Sequence, residues 1–241
     1  MTSTMKYLWI FAFLITTLFL DCMEKPVDNP IIQNKPATYL ALGDSYTIGE
    51  GVPENERYPN QAVDLLNAKD IQIQKPLIIA RTGWTTDELG EGIKNANIAG
   101  NTYDWVTLLI GVNNQYRGRP IENYRAEFKT RLEQAITFAK GNPKRVVVLS
   151  IPDWGITPFA TARGTDQAKV AREIDAYNAA KAEITKQLGA HYIDITDHYR
   201  EVGAKPESVV ADQLHPSGLI YRAWAEKLEK VIQSEMQSSE K

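Results

Sequence analysis

Read along the chain, the apolar positions alternate between continuous buried runs and one-sided helical stripes. Residues 38–42 are apolar without alternation, as in a strand covered on both faces. Residues 53–69 follow with Tyr58, Ala62, Leu65 and Leu66 at helical spacing. Residues 71–80 form a second, weaker strand, which Pro76 assigns to a sheet edge because proline cannot donate to a ladder. After a turn over 81–84, Thr85 or Thr86 can cap a short helix beginning at Asp87. Residues 105–110, unbroken between Asp104 and Gly111, give a third strand. The strongest helical stripe is Ile121, Tyr124, Phe128, Leu132, Ala135 and Ala139. Gly141, Asn142 and Pro143 stop it, and residues 145–151 are a fourth strand. A long loop over 152–164 leads to an amphipathic helix over 166–188 and a fifth strand over 191–195. A closing helix over 217–236 carries Leu219, Trp224, Leu228, Val231 and Ile232.

Strands separated throughout by helices pair in parallel through right-handed crossovers. The expected class is therefore α/β: a three-layer α/β/α sandwich around a mainly parallel five-stranded sheet. In such sheets ligands bind at the carboxyl ends of the strands, which is where chemistry is sought.

The N-terminus differs in composition from the rest. Lys6 precedes an apolar run over residues 7–20, and Asp21, Cys22, Met23, Glu24 and Lys25 follow it. The run is short for a spanning helix, which needs about twenty apolar residues, and its layout matches a secretory signal. Cys22, the sole cysteine, stands where the run ends, as in the lipobox of bacterial lipoproteins, although Asp21 occupies a place usually held by a small residue. Lipidation at Cys22, plain cleavage and an uncleaved anchor all stay open. Export is expected, to the periplasm or outer surface, with residues 1–22 as signal, 23–36 as a tether rich in Pro, Asn and charge, and 37–236 as one domain.

Charge and rare residues narrow the function. The 241 residues carry a net charge of −3 with no lysine or arginine stripe, so nucleic acid is not an expected partner. A single cysteine cannot form an intramolecular disulfide, so the core alone must hold the fold. The three histidines show no metal-ligand spacing, and Gly43, Gly49 and Gly51 lack the Lys-Ser/Thr ending of a phosphate cradle. No metal or cofactor is therefore expected.

The candidate chemistry begins where the first strand stops, at Gly43, Asp44 and Ser45. Alone, a Gly-Asp-Ser that ends a buried strand is more often just a turn in which Asp and Ser satisfy backbone groups. A serine hydroxyl becomes a nucleophile only with a base to take its proton and donors to hold the oxyanion. Gly83 lies past the second strand, and Gly111, Val112, Asn113 and Asn114 lie past the third. Ahead of the last helix, Asp212 stands three residues before His215, close enough on a tight turn to accept the ring N–H.

With these four blocks, residues 37–235 resemble the GDSL family of serine esterases and lipases, also called SGNH hydrolases, whose fold is flavodoxin-like. The resemblance implies that Ser45 is the nucleophile, His215 its base and Asp212 the group that orients the base. It further implies an oxyanion hole built from the Ser45 N–H, the Gly83 N–H and the Asn113 side-chain amide. The third block departs from the family's Gly-x-Asn-Asp by carrying Asn114, which bears on the loop's internal hydrogen bonds rather than on the oxyanion donor.

Asp44 is expected to brace the nucleophile turn, and His191 and His198 to be structural or surface residues. Tyr46, Ile48, Trp84, Tyr116, Trp154, Phe159 and Leu214 are candidates for an acyl pocket, with core packing as the alternative for each. Arg81, Arg117 and Arg119 either meet an acidic substrate or are solvated loop charges. The expected function is hydrolysis of carboxylic esters, lipase- or lysophospholipase-like or short-acyl, by a monomer that meets the membrane through its N-terminal segment. A carbohydrate O-acetyl esterase is the alternative, and an inactive surface glycan-binding protein the more remote one.

Overall fold

A computed structural model describes residues 35–239; the expected signal with Cys22, and the tether up to residue 34, lie outside them. Five strands occur in this region: β1 (Tyr39–Gly43), β2 (Leu77–Ala80), β3 (Trp105–Leu109), β4 (Val146–Leu149) and β5 (His191–Ile193). The helices are α1 (Ser45–Ile48), α2 (Tyr58–Asn67), α3 (Thr86–Asn95), α4 (Val112–Tyr116), α5 (Ile121–Phe138), α6 (Pro158–Ala162), α7 (Gln167–Gln187), α8 (Thr196–Val202) and α9 (Gly218–Ser239). Among the described residues no helix is long and apolar enough to cross a membrane.

All strands pair in parallel in the order β2-β1-β3-β4-β5. Every residue of β1 and β3 is buried, which their continuous apolar sequences require because helices cover both sides. On one face α2 packs on α9, Tyr58 meeting Trp224 at 6.3 Å between ring centroids. On the other, α5 packs against α3 and α7, and Tyr124 stacks on Tyr177 at 4.5 Å. The chain leaves β1 toward β2 and returns past it to β3, so β1 and β3 flank the point where the strand order reverses. Register makes this a site: Gly43 pairs with both Ala80 and Leu109, so the segments after three strands leave the sheet at one level.

The differences from the sequence expectation are local. The second strand shrinks to Leu77–Ala80, an edge as Pro76 implied, with one isolated bridge between Ala37 and Ile73. Thr85 is the cap of α3, and its backbone N–H donates to Glu88 at 2.9 Å. The expected loop over 152–164 contains a 3-10 turn at Trp154–Ile156 and helix α6. Buried Asp153 holds that turn by accepting from the Gly155 N–H and from Arg200, both at 2.9 Å. Leu219 is 63% exposed rather than part of the closing stripe. It lies about 140° around the helix from Trp224 at 3.6 residues per turn, off the buried face of Tyr221, Trp224, Leu228 and Ile232.

Candidate active site

The end of β1 is built for close approach. A β-carbon at Gly43 would overlap Thr47 Oγ1 and the Leu109 carbonyl, so only glycine lets α1 turn back against β3. Asp44 caps α1 by accepting the Tyr46 N–H at 3.0 Å, and this sets Ser45 at the first helical position, 4% exposed. The bracing role expected of Asp44 is thus its observed geometry. Its carboxyl is wholly buried, which pushes its pKa up to about 7 against the opposing pull of the Tyr46 N–H and Lys181.

At the far end of the chain Asp212 and His215 meet on one turn. Asp212 Oδ1 accepts the backbone N–H groups of Leu214 at 2.8 Å and His215 at 2.9 Å, and Oδ2 lies 2.6 Å from His215 Nδ1. Burial opposes ionisation of Asp212, but the His215 ring and the two backbone N–H groups outweigh it and hold the carboxyl below its usual range. With Nδ1 donating to Asp212, Nε2 is the nitrogen left to accept a proton. The Val210 N–H to His215 carbonyl bond at 2.9 Å ties the turn down, and Gln213 takes a left-handed φ of 61° within it.

The other loops converge from β2 and β3. Gly83 sits at the third position of a turn closed by the Trp84 N–H to Arg81 carbonyl bond at 3.2 Å, with φ of 84°. A positive φ at that position alone defines a type II turn, which glycine favours. Asn113, in α4, donates its side-chain amide to the Trp84 carbonyl at 2.9 Å, which occupies one of its two N–H groups. Asn114, where the sequence departs from the family pattern, is fully buried and replaces an acid with a complete set of partners. It accepts the Thr86 N–H at 3.1 Å and donates to Thr86 Oγ1 at 2.8 Å, while Thr86 Oγ1 also bonds Glu127.

Ser45, Gly83, Asn113 and His215 line one cavity of about 190 Å³, together with Tyr46, Thr82, Val112, Tyr116, Trp154, Phe159 and Leu214. One wall is aromatic: Trp154 lies edge-on to Tyr116 at 5.2 Å and to Phe159 at 6.5 Å. Trp154 Nε1 donates to Gln115 Oε1 at 2.8 Å, and Gln115 in turn donates to Glu173 at 2.7 Å, so the indole is held in place from behind. Of the pocket candidates, Trp84 and Ile48 stand apart. The Trp84 indole lies against Gly92 of α3 and faces a separate hollow with Arg81, Asp87 and Glu88. Arg117 and Arg119 are committed to Glu88 at 3.0 Å and Asp87 at 2.6 Å. His191 lies 3.2 Å from Glu235, away from the cavity.

Sequence reasoning passed over Gln115, Arg117 in its bond to Gly83, and Lys181. Lys181 is fully buried in α7, donates to the Leu149 carbonyl at 2.8 Å, and is pulled down to about pKa 7 by burial, with Asp44 opposing. Among the described residues no group of three or more His, Cys, Asp or Glu could hold a metal ion.

A parallel sheet with its reversal point beside Ser45, and an aspartate-histidine turn across the cavity, define an α/β hydrolytic enzyme. The profile of the GDSL-like Lipase/Acylhydrolase family matches residues 41–223, and the chain belongs to that family of carboxylic ester hydrolases. An acetylxylan esterase of Geobacillus stearothermophilus is 24% identical over 154 residues, 54% of this chain and 67% of that protein. Among solved structures, the psychrotrophic esterase EstA from Pseudoalteromonas sp. superposes with a TM-score of 0.62 at 15% identity, covering 83% of this chain and 99% of that one. A lipase/acylhydrolase from Enterococcus faecalis superposes with a TM-score of 0.63 at 17% identity, covering 82% and 96%. These likenesses establish the fold.

Proposed function

We propose that the protein hydrolyses short-acyl carboxylic esters through an acyl-enzyme on Ser45. The observation that carries this reading is the meeting of Ser45, Gly83, Asn113 and the Asp212-paired His215 around one small apolar cavity. His215 Nε2 takes the Ser45 proton as Oγ bonds to the ester carbonyl carbon, and the carbonyl electrons move to oxygen. That oxyanion is met by the Ser45 N–H, the Gly83 N–H and the Asn113 N–H not used by Trp84. Collapse expels the alcohol, which receives the proton from His215, and a water activated by the same histidine then releases the acid.

The cavity supports a short acyl group. At about 190 Å³ it is smaller than the roughly 300–1,000 Å³ of pockets that take drug-sized ligands, as a short acyl chain requires. Its Val112, Trp154, Phe159 and Leu214 walls suit such a chain. A second reading, O-deacetylation of a carbohydrate, is favoured by Tyr116. This ring is 53% exposed beside Trp154, a flat surface of the kind on which a sugar can pack, and a relative of this chain is an acetylxylan esterase. Rates on acetyl-xylan, on lysophospholipid and on a nitrophenyl ester series of increasing acyl length separate the readings. The first predicts a maximum at short acyl length, the second predicts acetyl-xylan as the preferred substrate, and a maximum on lysophospholipid contradicts both.

Lys6, the apolar run that follows and Cys22 support export and a membrane tether. Incorporation of labelled palmitate that a Cys22→Ala substitution removes is the expected result for a lipid anchor. A mature chain cleaved without acylation contradicts that anchor.

A further inference from the structure

Two side chains reach from α4 to the oxyanion turn, and only Asn113 belongs to the four sequence blocks. Arg117, at the end of α4, donates Nη2 to the Gly83 carbonyl at 2.6 Å and Nη1 to Glu88 at 3.0 Å. Glu88 is itself fixed, because its other carboxylate oxygen accepts the Thr85 N–H at 2.9 Å and the Thr85 hydroxyl at 3.0 Å. Burial opposes its ionisation, but the Thr85 and Arg117 hydrogen bonds outweigh it and hold the carboxyl below its usual range. Arg117 is therefore a bridge from a helix start to a turn carbonyl, although it is half-exposed.

The consequence follows from turn geometry. The Gly83–Trp84 peptide is held on both sides, its N–H by the Arg81 carbonyl and its C=O by Arg117. The Trp84 carbonyl beyond it is held by Asn113, and on the other side the Thr82 hydroxyl bonds Glu50. With these neighbours fixed, the place of the Gly83 N–H follows from the peptide between Thr82 and Gly83, whose orientation goes with the Gly83 φ of 84°.

We propose that Arg117 is a positioning residue, fixing the Gly83–Trp84 peptide and with it the place of the 81–84 turn, so that the Gly83 N–H faces the reacting carbonyl. This rests on the reading of Gly83 as an oxyanion donor. Arg117 does not line the cavity and acts through the Gly83 peptide. A β-carbon at Gly83 would come no closer than 3.6 Å, to Arg117 Nη2, so the demand for glycine there is conformational rather than steric.

The test is steady-state kinetics of Arg117→Ala and Arg117→Lys on a nitrophenyl acetate, with Tm measured alongside. Loss of one oxyanion donor costs about 10²–10³ in kcat, so a misplaced donor in Arg117→Ala is expected to lower kcat about ten- to a hundredfold. KM stays within about twofold, because the ground-state carbonyl gains little from the donor. Arg117→Lys, which keeps one donor for the Gly83 carbonyl, recovers part of the loss. Affinity for a boronic acid that forms a tetrahedral adduct falls in parallel with kcat, whereas affinity for the product acid does not. Unchanged kcat, or a rise in KM at constant kcat, overturns the clamp while leaving Ser45 chemistry intact. A Glu88→Gln variant, whose neutral amide still accepts from Arg117, is expected to show a milder form of the same kcat loss. Full activity in Ser45→Ala would instead remove the reading on which the clamp rests.

Discussion

His215 Nδ1 and Asp212 Oδ2 lie 2.6 Å apart, and the same carboxylate accepts two backbone N–H groups from the turn that carries the histidine. The turn thus orients its own imidazole. Asp212→Asn leaves an oxygen for the backbone donors but turns an N–H toward the ring, which favours the wrong tautomer. The expected loss in kcat is about 10⁴-fold with little change in KM, read by steady-state hydrolysis of a short-chain ester. A loss smaller than tenfold would mean that another group orients His215.

Asp44 gives a pH signature of stability. Its pKa in the fold is about 7, whereas an unfolded aspartate titrates near ~3.9. Between those values the folded state binds more protons than the unfolded, so this group's contribution is full at low pH and is lost as pH rises through about 7. Asp44→Asn keeps an acceptor for the Tyr46 N–H and removes the titration. The Tm of the wild type relative to this variant should therefore decline between about pH 4 and 7 and then level off. Parallel curves across that range would contradict the burial of a titrating carboxyl beneath Ser45.

Trp154 forms part of the aromatic wall of the cavity that the proposed function assigns to the acyl group. Trp154→Ala removes an indole that is 7% exposed and that closes the aromatic wall, at a cost to stability of about 3–5 kcal/mol. Its kcat/KM ratio for hexanoyl over acetyl nitrophenyl esters should rise at least severalfold. An unchanged chain-length profile would place the acyl group elsewhere.

How much of this was visible in the sequence follows from what each residue does locally. The buried strands announced themselves as uniform apolar runs, and the register of Gly43 with Ala80 and Leu109 explains why segments distant in sequence share one rim. The short helices α1, α4, α6 and α8 were not legible, because one or two turns carry no periodicity. Only a cap such as Asp44 marks their start. Asn114 read as a loss and proved to be a buried junction with Thr86 and Glu127, since an amide supplies both an acceptor and donors where an acid supplies acceptors only. The direction of Trp84 was beyond reach, because a turn residue gives no indication of which side of the turn its ring takes. Lys181 did leave a signal: it falls on the buried stripe of Val170, Ile174, Tyr177 and Ile184 at helical spacing, where a charge is out of place.

The central claim is that Ser45 is the nucleophile, and the most direct measurement is turnover of a short-chain nitrophenyl ester by Ser45→Ala. The substitution deletes one oxygen at a site where Asp44, not Ser45, caps the helix, so Tm should stay close to that of the wild type. The expected rate is about 10⁴- to 10⁶-fold lower, the scale on which removing a triad nucleophile acts. A folded Ser45→Ala protein that turns over at near wild-type rate would contradict the account.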